Sequence, residues 1–347
     1  MLPILMRYGL WLLGFWMLAA LLMAGLTQSN RDSRSSALAA ETAPADESAS
    51  ERPRTYEQLP GVVHMLPEAL PIERLQDKPL YEFTELDLAA YLEHLSDREA
   101  DPIARVMHLA RKNIGQPYKL FLLGEFPFET HDPDPLYCLT HSDCVTFCEH
   151  TYAMALSRGW ESFFLLLQRL RYKDGQIGIR TRNHEMTSEW NQHNAWLFED
   201  ICRTLGGGKQ WVDMLAFWSP REFFHKMRLP STRPDVEWPD VYIPRARVPN
   251  VLPDLRNGDM VNVIRGDERH QLVAHVGMIG LNAEGNVYLI HSANPQVREE
   301  PLLAYLQKDA RILGFKFLRL RPLPDRLVRE ELARTRVGPA LMSERAN

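Results

Sequence analysis

Apolar residues recur at three- and four-residue spacing in several segments of the chain, which predicts amphipathic helices. The predicted helices cover 84–95, 101–115, 142–159 and 219–227. Short segments rich in Val and Ile follow, separated by polar turns, and these predict strands over 258–265, 274–281 and 286–293. The segment 315–323 alternates apolar and basic residues, which predicts a further strand with one exposed face. Helices followed by an antiparallel meander of strands indicate an α+β fold class.

The N-terminus differs from this pattern. Every residue from Tyr8 to Leu26 is apolar, glycine or aromatic, a length between a secretory signal and a minimal membrane-spanning helix. We therefore predict that residues 1–27 are a signal peptide or an inner-membrane anchor and that the chain is periplasmic or secreted. Residues 28–55 contain few large apolar side chains and predict a disordered linker, and 336–347 predict a tail. The folded domain is expected over 56–335.

Composition narrows the classes of function. The 347 residues are 45% hydrophobic and 24% charged, as in ordinary globular proteins, and the net charge of −5 argues against a nucleic-acid partner. Four cysteines are too few for a disulfide scaffold. In an oxidising compartment Cys138 and Cys202 are the pair that we would test for a disulfide.

Cys144 is a candidate nucleophile because it follows a polar cap and opens the helix predicted at 142–159. A sulfur at the positive end of a helix dipole is favoured as thiolate, the form that attacks. The free backbone N–H groups of the first turn can also hold an oxyanion. A buried structural cysteine is the alternative interpretation.

Two histidines strengthen the interpretation. His275 lies near the start of one predicted strand and His291 lies in the next. If these strands form a hairpin, the two imidazoles lie near one another at one end of the sheet. One can then accept the thiol proton while the other orients it, as in a nucleophile–base–orienter triad.

Other polar groups suggest further sites. His141, Cys144, Cys148 and His150 crowd into ten residues, but their spacing is not a usual structural-zinc pattern, and we predict no metal site and no cofactor. A dense polar and aromatic stretch predicts a loop that binds substrate, with a surface loop whose Trp fills the core as the alternative. Its candidate residues are Arg182, His184, Trp190 and Asn194.

Ordered motifs resemble those of NlpC-type papain-like cell-wall peptidases: GQPY at 115–118, DCVTF at 143–147, HVGM at 275–278 and IHS at 290–292. Further stretches, RTRNHE at 180–185, SEWNQHN at 188–194 and NGDM at 257–260, resemble the N-acetylmuramoyl-L-alanine amidase-like family within that clan. The resemblance spans about 100–320. It implies a papain-like fold in which N-terminal helices pack on a small antiparallel sheet or partial barrel.

The resemblance also implies functional residues. Cys144 would be the nucleophile, His275 the general base, His291 the third member of a Cys–His–His triad, and Tyr118 part of the oxyanion side of the cleft. Asp143 matches the acidic residue before the nucleophile, which we group with the substrate-binding candidates. The implied reaction is hydrolysis of the N-acetylmuramoyl-L-alanine amide bond of peptidoglycan or muropeptides. The alternatives are cleavage of a bond within the stem peptide, a non-catalytic wall-binding module, and an acyltransferase or lipid hydrolase.

Overall fold

The computed structural model describes residues 68–334 except 268, together with the backbone of 338–339. The helices are α1 Ile72–Asp77, α2 Glu85–Arg98, α3 Pro102–Lys112, α4 Cys144–Ala155, α5 Trp160–Arg171, α6 Asn191–His193, α7 Pro220–Lys226, α8 Val248–Val251, α9 Leu302–Lys308 and α10 Pro324–Arg334. The strands are β1 Gln176–Ile177, β2 Phe198–Asp200, β3 Val212–Trp218, β4 Val236–Pro244, β5 Met260–Gly266, β6 Gln271–Leu281, β7 Val287–Ala293, β8 Gln296–Pro301, β9 Gly314–Leu320 and β10 Gly338–Pro339. The predicted leader 1–27 and linker 28–55 lie outside the described residues, as does the predicted tail apart from 338–339.

Eight strands form one sheet in the order β2-β9-β4-β3-β6-β7-β8, and β5 pairs with both β6 and β9. Strand β3 meets β6 through Ala216 and Gln271, and β4 meets β9 through Ile243–Phe315 and Pro244–Gly314. These pairings join β3, β4, β9, β5 and β6 into a closed ring. The predicted α+β class is confirmed, whereas the papain-like assignment stays an expectation.

Helix α4 lies at the centre of the fold. All its residues from Thr146 to Ala155 are buried, which is typical of a helix packed on every side. One hydrophobic core joins α2–α5 to residues of β6, β7 and β9, and a second lies among β4–β7, β9, α8 and α9. The helical layer therefore holds the start of α4 against the strands that carry the two histidines.

The ends of α4 differ from the prediction of 142–159. Asp143 is the N-cap, so the first helical residue is Cys144 itself. The helix ends at Ala155, and Gly159 is instead the N-cap of α5, a helix that the sequence pattern did not predict. The helix predicted at 142–159 therefore corresponds to α4 alone, and a short turn leads from it into α5.

Strands β2, β3, β4 and β8 were also missed. Pro239 interrupts the apolar alternation of β4, and proline in a sheet interior removes a ladder hydrogen bond. Within the described residues β4 pairs with β3 over its first seven positions and with β9 only at its end, so Pro239 is paired on one side. The proline is tolerated because the side of β4 that faces away from β3 pairs with no described strand at this position, so no backbone N–H donor is needed there.

Candidate active site

Cys144 occupies the first position of α4, as predicted. The Asp143 carboxylate accepts a hydrogen bond of 2.8 Å from the Thr146 backbone N–H, which caps the helix. The backbone N–H groups of Val276, Val145 and Cys144 itself favour the negative form of the sulfur. Since Val276 directly follows His275, the sulfur lies beside the strand segment that carries the predicted base.

The electrostatics of this thiol contradict the sequence prediction. Burial, followed by the negative charge of Asp143, raises the pKa of Cys144 from 9.0 to about 12, although the three N–H groups act in the opposite direction. The helix start was expected to favour thiolate, but desolvation of the anion outweighs that effect. The resting group is therefore a neutral thiol.

The predicted hairpin of β6 and β7 is confirmed. Its pairs run from Met278–Ile290 to Leu281–Val287, and continuing this register sets His291 opposite Gly277, two residues from His275. The two rings lie edge to face with centroids 4.9 Å apart, and His275 Nε2 is 2.7 Å from His291 Nδ1. The hairpin therefore brings both imidazoles into direct contact.

A carboxylate that the sequence analysis did not identify continues this row of groups. His291 Nε2 lies 3.0 Å from Glu300 Oε1, and Glu300 also accepts hydrogen bonds from Arg298 and Lys308. Burial alone would raise the pKa of Glu300, but the hydrogen bonds from its partners lower it to about 2. Glu300 is therefore ionised at neutral pH.

Both imidazoles are neutral at that pH. Burial is the largest cause and lowers the pKa of His275 to about 3 and that of His291 to about 4. Among the described residues no hydrogen bond joins the Cys144 sulfur to the His275 ring, whose Nδ1 is the nitrogen not engaged by His291. Catalytic hydrogen bonds often tighten only when substrate binds.

Two buried hydroxyl groups connect the cysteine segment to the histidine strand. Ser142 Oγ donates to Gln116 Oε1 at 2.6 Å and lies 2.9 Å from Ser292 Oγ. Ser292 Oγ donates to the Ser142 carbonyl at 2.9 Å. Ser142 lies two residues before Cys144 and Ser292 follows His291, so this cluster holds Cys144 and His291 in a fixed relation.

Two tyrosines border the site. Burial is the largest cause that raises the pKa of Tyr118 to about 12, and the ionisable groups of Cys144 and Asp143 raise it further, so Tyr118 lies near both residues. Tyr305 was not predicted. Its ring stacks on His275 at 6.1 Å between centroids and meets His291 edge-on at 5.2 Å.

The residues predicted to bind substrate in the 180–194 stretch have internal partners. Arg182 donates to Asp132 at 2.9 Å and pairs with Glu125, and His184 Nε2 lies 2.6 Å from the Ile179 carbonyl oxygen.

Trp190 and Asn194 have no exposed surface. Trp190 donates to Glu149 at 2.9 Å, and Asn194 to the Leu170 carbonyl at 2.9 Å. Since a fully buried side chain cannot touch a ligand without rearrangement, the burial of Trp190 and Asn194 favours the alternative in which this stretch packs into the core.

Comparison with known proteins assigns the family. The model of the AmiA-like family, described as N-acetylmuramoyl-L-alanine amidase-like, matches residues 108–314, which is more than half of the chain. The chain belongs to this N-acetylmuramoyl-L-alanine amidase-like family. Membership supports a peptidoglycan amidase-like role, and the matched region contains Cys144, His275, His291 and Glu300. No curated protein matches the sequence.

Solved structures show the same fold. A Legionella pneumophila protein of the family DUF1460 has 20% sequence identity and a TM-score of 0.61, with 69% of this chain and 94% of that chain covered. An N-acetylmuramoyl-L-alanine amidase from Bacteroides uniformis has 20% identity and a TM-score of 0.51, with 63% of this chain and 99% of that chain covered. At this identity the likeness concerns the fold alone.

The structure of the amidase-like chain bears on two alternatives that the sequence left open, a disulfide and a zinc site. All four cysteines are free thiols, so Cys138 and Cys202, the pair considered for a disulfide, are not bridged. In the part of the chain that is described, no three His, Cys, Asp or Glu side chains are grouped as metal ligands. His150, a member of the rival zinc set, directs its ring nitrogens to the Thr146 carbonyl and the Cys138 N–H. Over the same residues, no helix is long and apolar enough to cross a membrane.

A sequence signal for Glu300 did exist. In the β7–β8 hairpin His291 pairs with Arg298, so Glu300, two residues further, projects from the same face as His291. The stretch QVREEP is polar and was not recognised as a strand. Tyr305 on α9 had no such signal, because its position depends on how that helix packs on the sheet.

Proposed function

We propose that the chain is a cysteine hydrolase that cleaves the N-acetylmuramoyl-L-alanine amide bond of peptidoglycan or its fragments. The observation that carries this proposal is the convergence of a thiol at a helix start with two hydrogen-bonded imidazoles. Cys144 lies against the backbone of Val276, and His275 contacts His291 at 2.7 Å. Family membership supports the substrate class.

The proposed reaction begins with a neutral Cys144 thiol and a neutral His275 imidazole. As the Cys144 sulfur attacks the lactyl carbonyl carbon, its proton passes to His275 Nδ1. The carbonyl oxygen becomes an oxyanion held by backbone N–H groups at the start of α4, with Tyr118 on the same side of the cleft. The protonated His275 then gives its proton to the alanine nitrogen, and the C–N bond breaks to leave a thioester.

Water completes the cycle. His275 Nδ1 takes one proton from the water as its oxygen attacks the thioester carbon. The C–S bond breaks, the lactyl carboxyl group leaves, and the sulfur recovers a proton from His275. The proposed reaction uses no cofactor. We place the reaction outside the cytoplasm, in the periplasm or secreted, because its substrate class is the cell wall.

Replacement of the nucleophile tests this proposal. We expect Cys144→Ser to lower amide hydrolysis of purified muropeptides by about a thousandfold or more, because the triad acts as a unit. Cys138→Ser is the matched control, since Cys138 is also a partly exposed free thiol, and it should retain the wild-type rate. A Cys144→Ser protein that hydrolyses muropeptides at the wild-type rate would remove the cysteine from the mechanism.

The masses of the digestion products test the bond. Cleavage at the proposed amide releases an intact stem peptide that begins with alanine, together with a free muramoyl carboxylate. Shortened peptides attached to the sugar would instead identify a stem-peptide endopeptidase. Wall binding without any product, in the wild-type chain as in Cys144→Ser, would identify a non-catalytic wall-binding module.

A further inference from the structure

The row of hydrogen-bonded groups behind the thiol ends on a charged residue. From His275 the contacts run 2.7 Å to His291 and 3.0 Å onward to the Glu300 carboxylate. We propose that Glu300 is a positioning residue that fixes which nitrogen of each imidazole carries the proton, so that His275 presents a lone pair to Cys144. Because this role serves the thiol mechanism, it depends on the function proposed above.

The direction of the hydrogen bonds follows from what each group can donate. An ionised carboxylate only accepts, so His291 Nε2 must carry the hydrogen that it donates to Glu300. A neutral imidazole has one N–H, which leaves His291 Nδ1 as an acceptor. His275 Nε2 must then be the donor across the 2.7 Å contact, and His275 Nδ1 keeps its lone pair. The opposite tautomer of His275 would face two lone pairs toward each other.

Burial makes this constraint strict. His291 is fully buried and Glu300 is 8% exposed. Bulk water therefore has little access to replace the hydrogen bond between them. The Tyr305 ring covers both imidazoles. If the His291 ring were turned over, a nitrogen that carries no hydrogen would face the Glu300 carboxylate. Two buried acceptors without a hydrogen between them are costly in a dry environment.

Two cations keep Glu300 in its charged form and in place. Arg298 Nε donates to Glu300 Oε1 at 3.0 Å, and Lys308 of α9 donates to the second oxygen. Arg298 also donates to the carbonyl groups of Ala293 and Asn294, at the turn after the His291 strand. The carboxylate is thus held by one cation from its own strand, β8, and by another from helix α9.

Two substitutions separate charge from shape. Glu300→Gln keeps the size of the side chain but removes its charge, whereas Glu300→Asp keeps the charge and shortens the side chain. If Glu300 only fills space and links β8 to α9, the Gln variant is expected to have a higher kcat than the Asp variant. If it fixes the tautomer, the Asp variant is better, and the Gln variant loses about 10–100-fold in kcat with KM within threefold of wild type.

The matched control is Glu299→Gln. Glu299 is the neighbouring residue on the opposite face of β8, and it pairs with Arg111 at 2.9 Å. Its variant should keep the wild-type kcat. A Gln variant at position 300 that loses less than tenfold in kcat, or that matches or exceeds the Asp variant, overturns the proposal.

Nitrogen-15 NMR of histidine-labelled protein measures the tautomers directly. We expect protonated Nε2 on both His275 and His291 in the wild type and in Glu300→Asp, and mixed tautomers in Glu300→Gln. Unchanged tautomers in Glu300→Gln also overturn the proposal. This spectrum requires no turnover, so it separates a failure of the tautomer role from a failure of the hydrolase function, which the Cys144→Ser digest reports.

Discussion

At the scale of single residues, the site is a neutral thiol beside a neutral imidazole. The same physical cause acts on both, because burial disfavours whichever form is charged. It raises the pKa of Cys144 to about 12 and lowers that of His275 to about 3. In the proposed mechanism, proton transfer therefore accompanies the attack of the sulfur rather than preceding it, and this requires a correctly directed lone pair on His275.

Alkylation measures this property of the thiol. In Cys138→Ser the only partly exposed thiol is Cys144, since Cys148 and Cys202 are buried. Because reaction requires thiolate, we expect the rate with iodoacetamide to rise about tenfold per pH unit between about pH 6 and 9 without a plateau. A plateau or inflection below about pH 8 would instead show a preformed thiolate–imidazolium pair.

At the scale of elements, the β6–β7 hairpin determines the distance between the two imidazoles. Gly277 lies opposite His291, and a Cβ at this position would lie 2.8 Å from the Ile290 carbonyl oxygen and 3.0 Å from His291 Cβ. The first contact is shorter than real Cβ atoms show and the second is tight, so a side chain at 277 must shift the backbone of the neighbouring strand. The close pairing of β6 with β7 thus explains why the HVGM motif has glycine at position 277.

Gly277→Ala tests this steric requirement. We expect a loss of about 10-fold or more in kcat, because the shift moves His291 relative to His275, and a loss of roughly 1–3 kcal/mol in unfolding free energy from overpacking. Gly208→Ala is the control, since its Cβ would meet nothing within 4 Å and its φ of −176° is ordinary. Steady-state kinetics and urea unfolding measure both effects. Wild-type kinetics in Gly277→Ala would contradict the role of close strand approach.

At the scale of the whole molecule, the strand ring closes where β4 meets β9. Only two backbone pairs join these strands, Ile243–Phe315 and Pro244–Gly314. Lys316 extends the junction: its buried ammonium group donates to Asp240 on β4 at 2.8 Å and to Asp200 on β2. Burial alone would lower the pKa of Lys316, but the two carboxylates raise it, so the group is charged.

Lys316→Met should therefore destabilise the fold. Removal of the cation leaves the largely buried Asp240 carboxylate without its partner, and we expect a loss of about 2–4 kcal/mol in unfolding free energy, measured with urea. Lys226→Met is the matched control: that lysine pairs with Glu222 on the surface, with both side chains more than half exposed, and it should change stability by less than about 0.5 kcal/mol. Equal stability of the two variants would contradict a structural role for Lys316.

The sequence by itself determined the α+β class, the helix start at Cys144 and the hairpin that unites His275 with His291. These features depend on local periodicity, capping and turn signals, which neighbouring residues carry. Residue order alone did not reveal β4, because Pro239 breaks its alternation, nor α5, because Gly159 was interpreted as a helix end.

Only the tertiary structure decided the electrostatics of the site. The direction of the Cys144 pKa depends on how much protein surrounds the thiol, and the charge of Glu300 depends on cations brought from β8 and α9. Burial decided in the same way that Trp190 and Asn194 pack inside the fold. Desolvation and through-space charge are properties of the packed chain, so no pattern of neighbouring residues contains them.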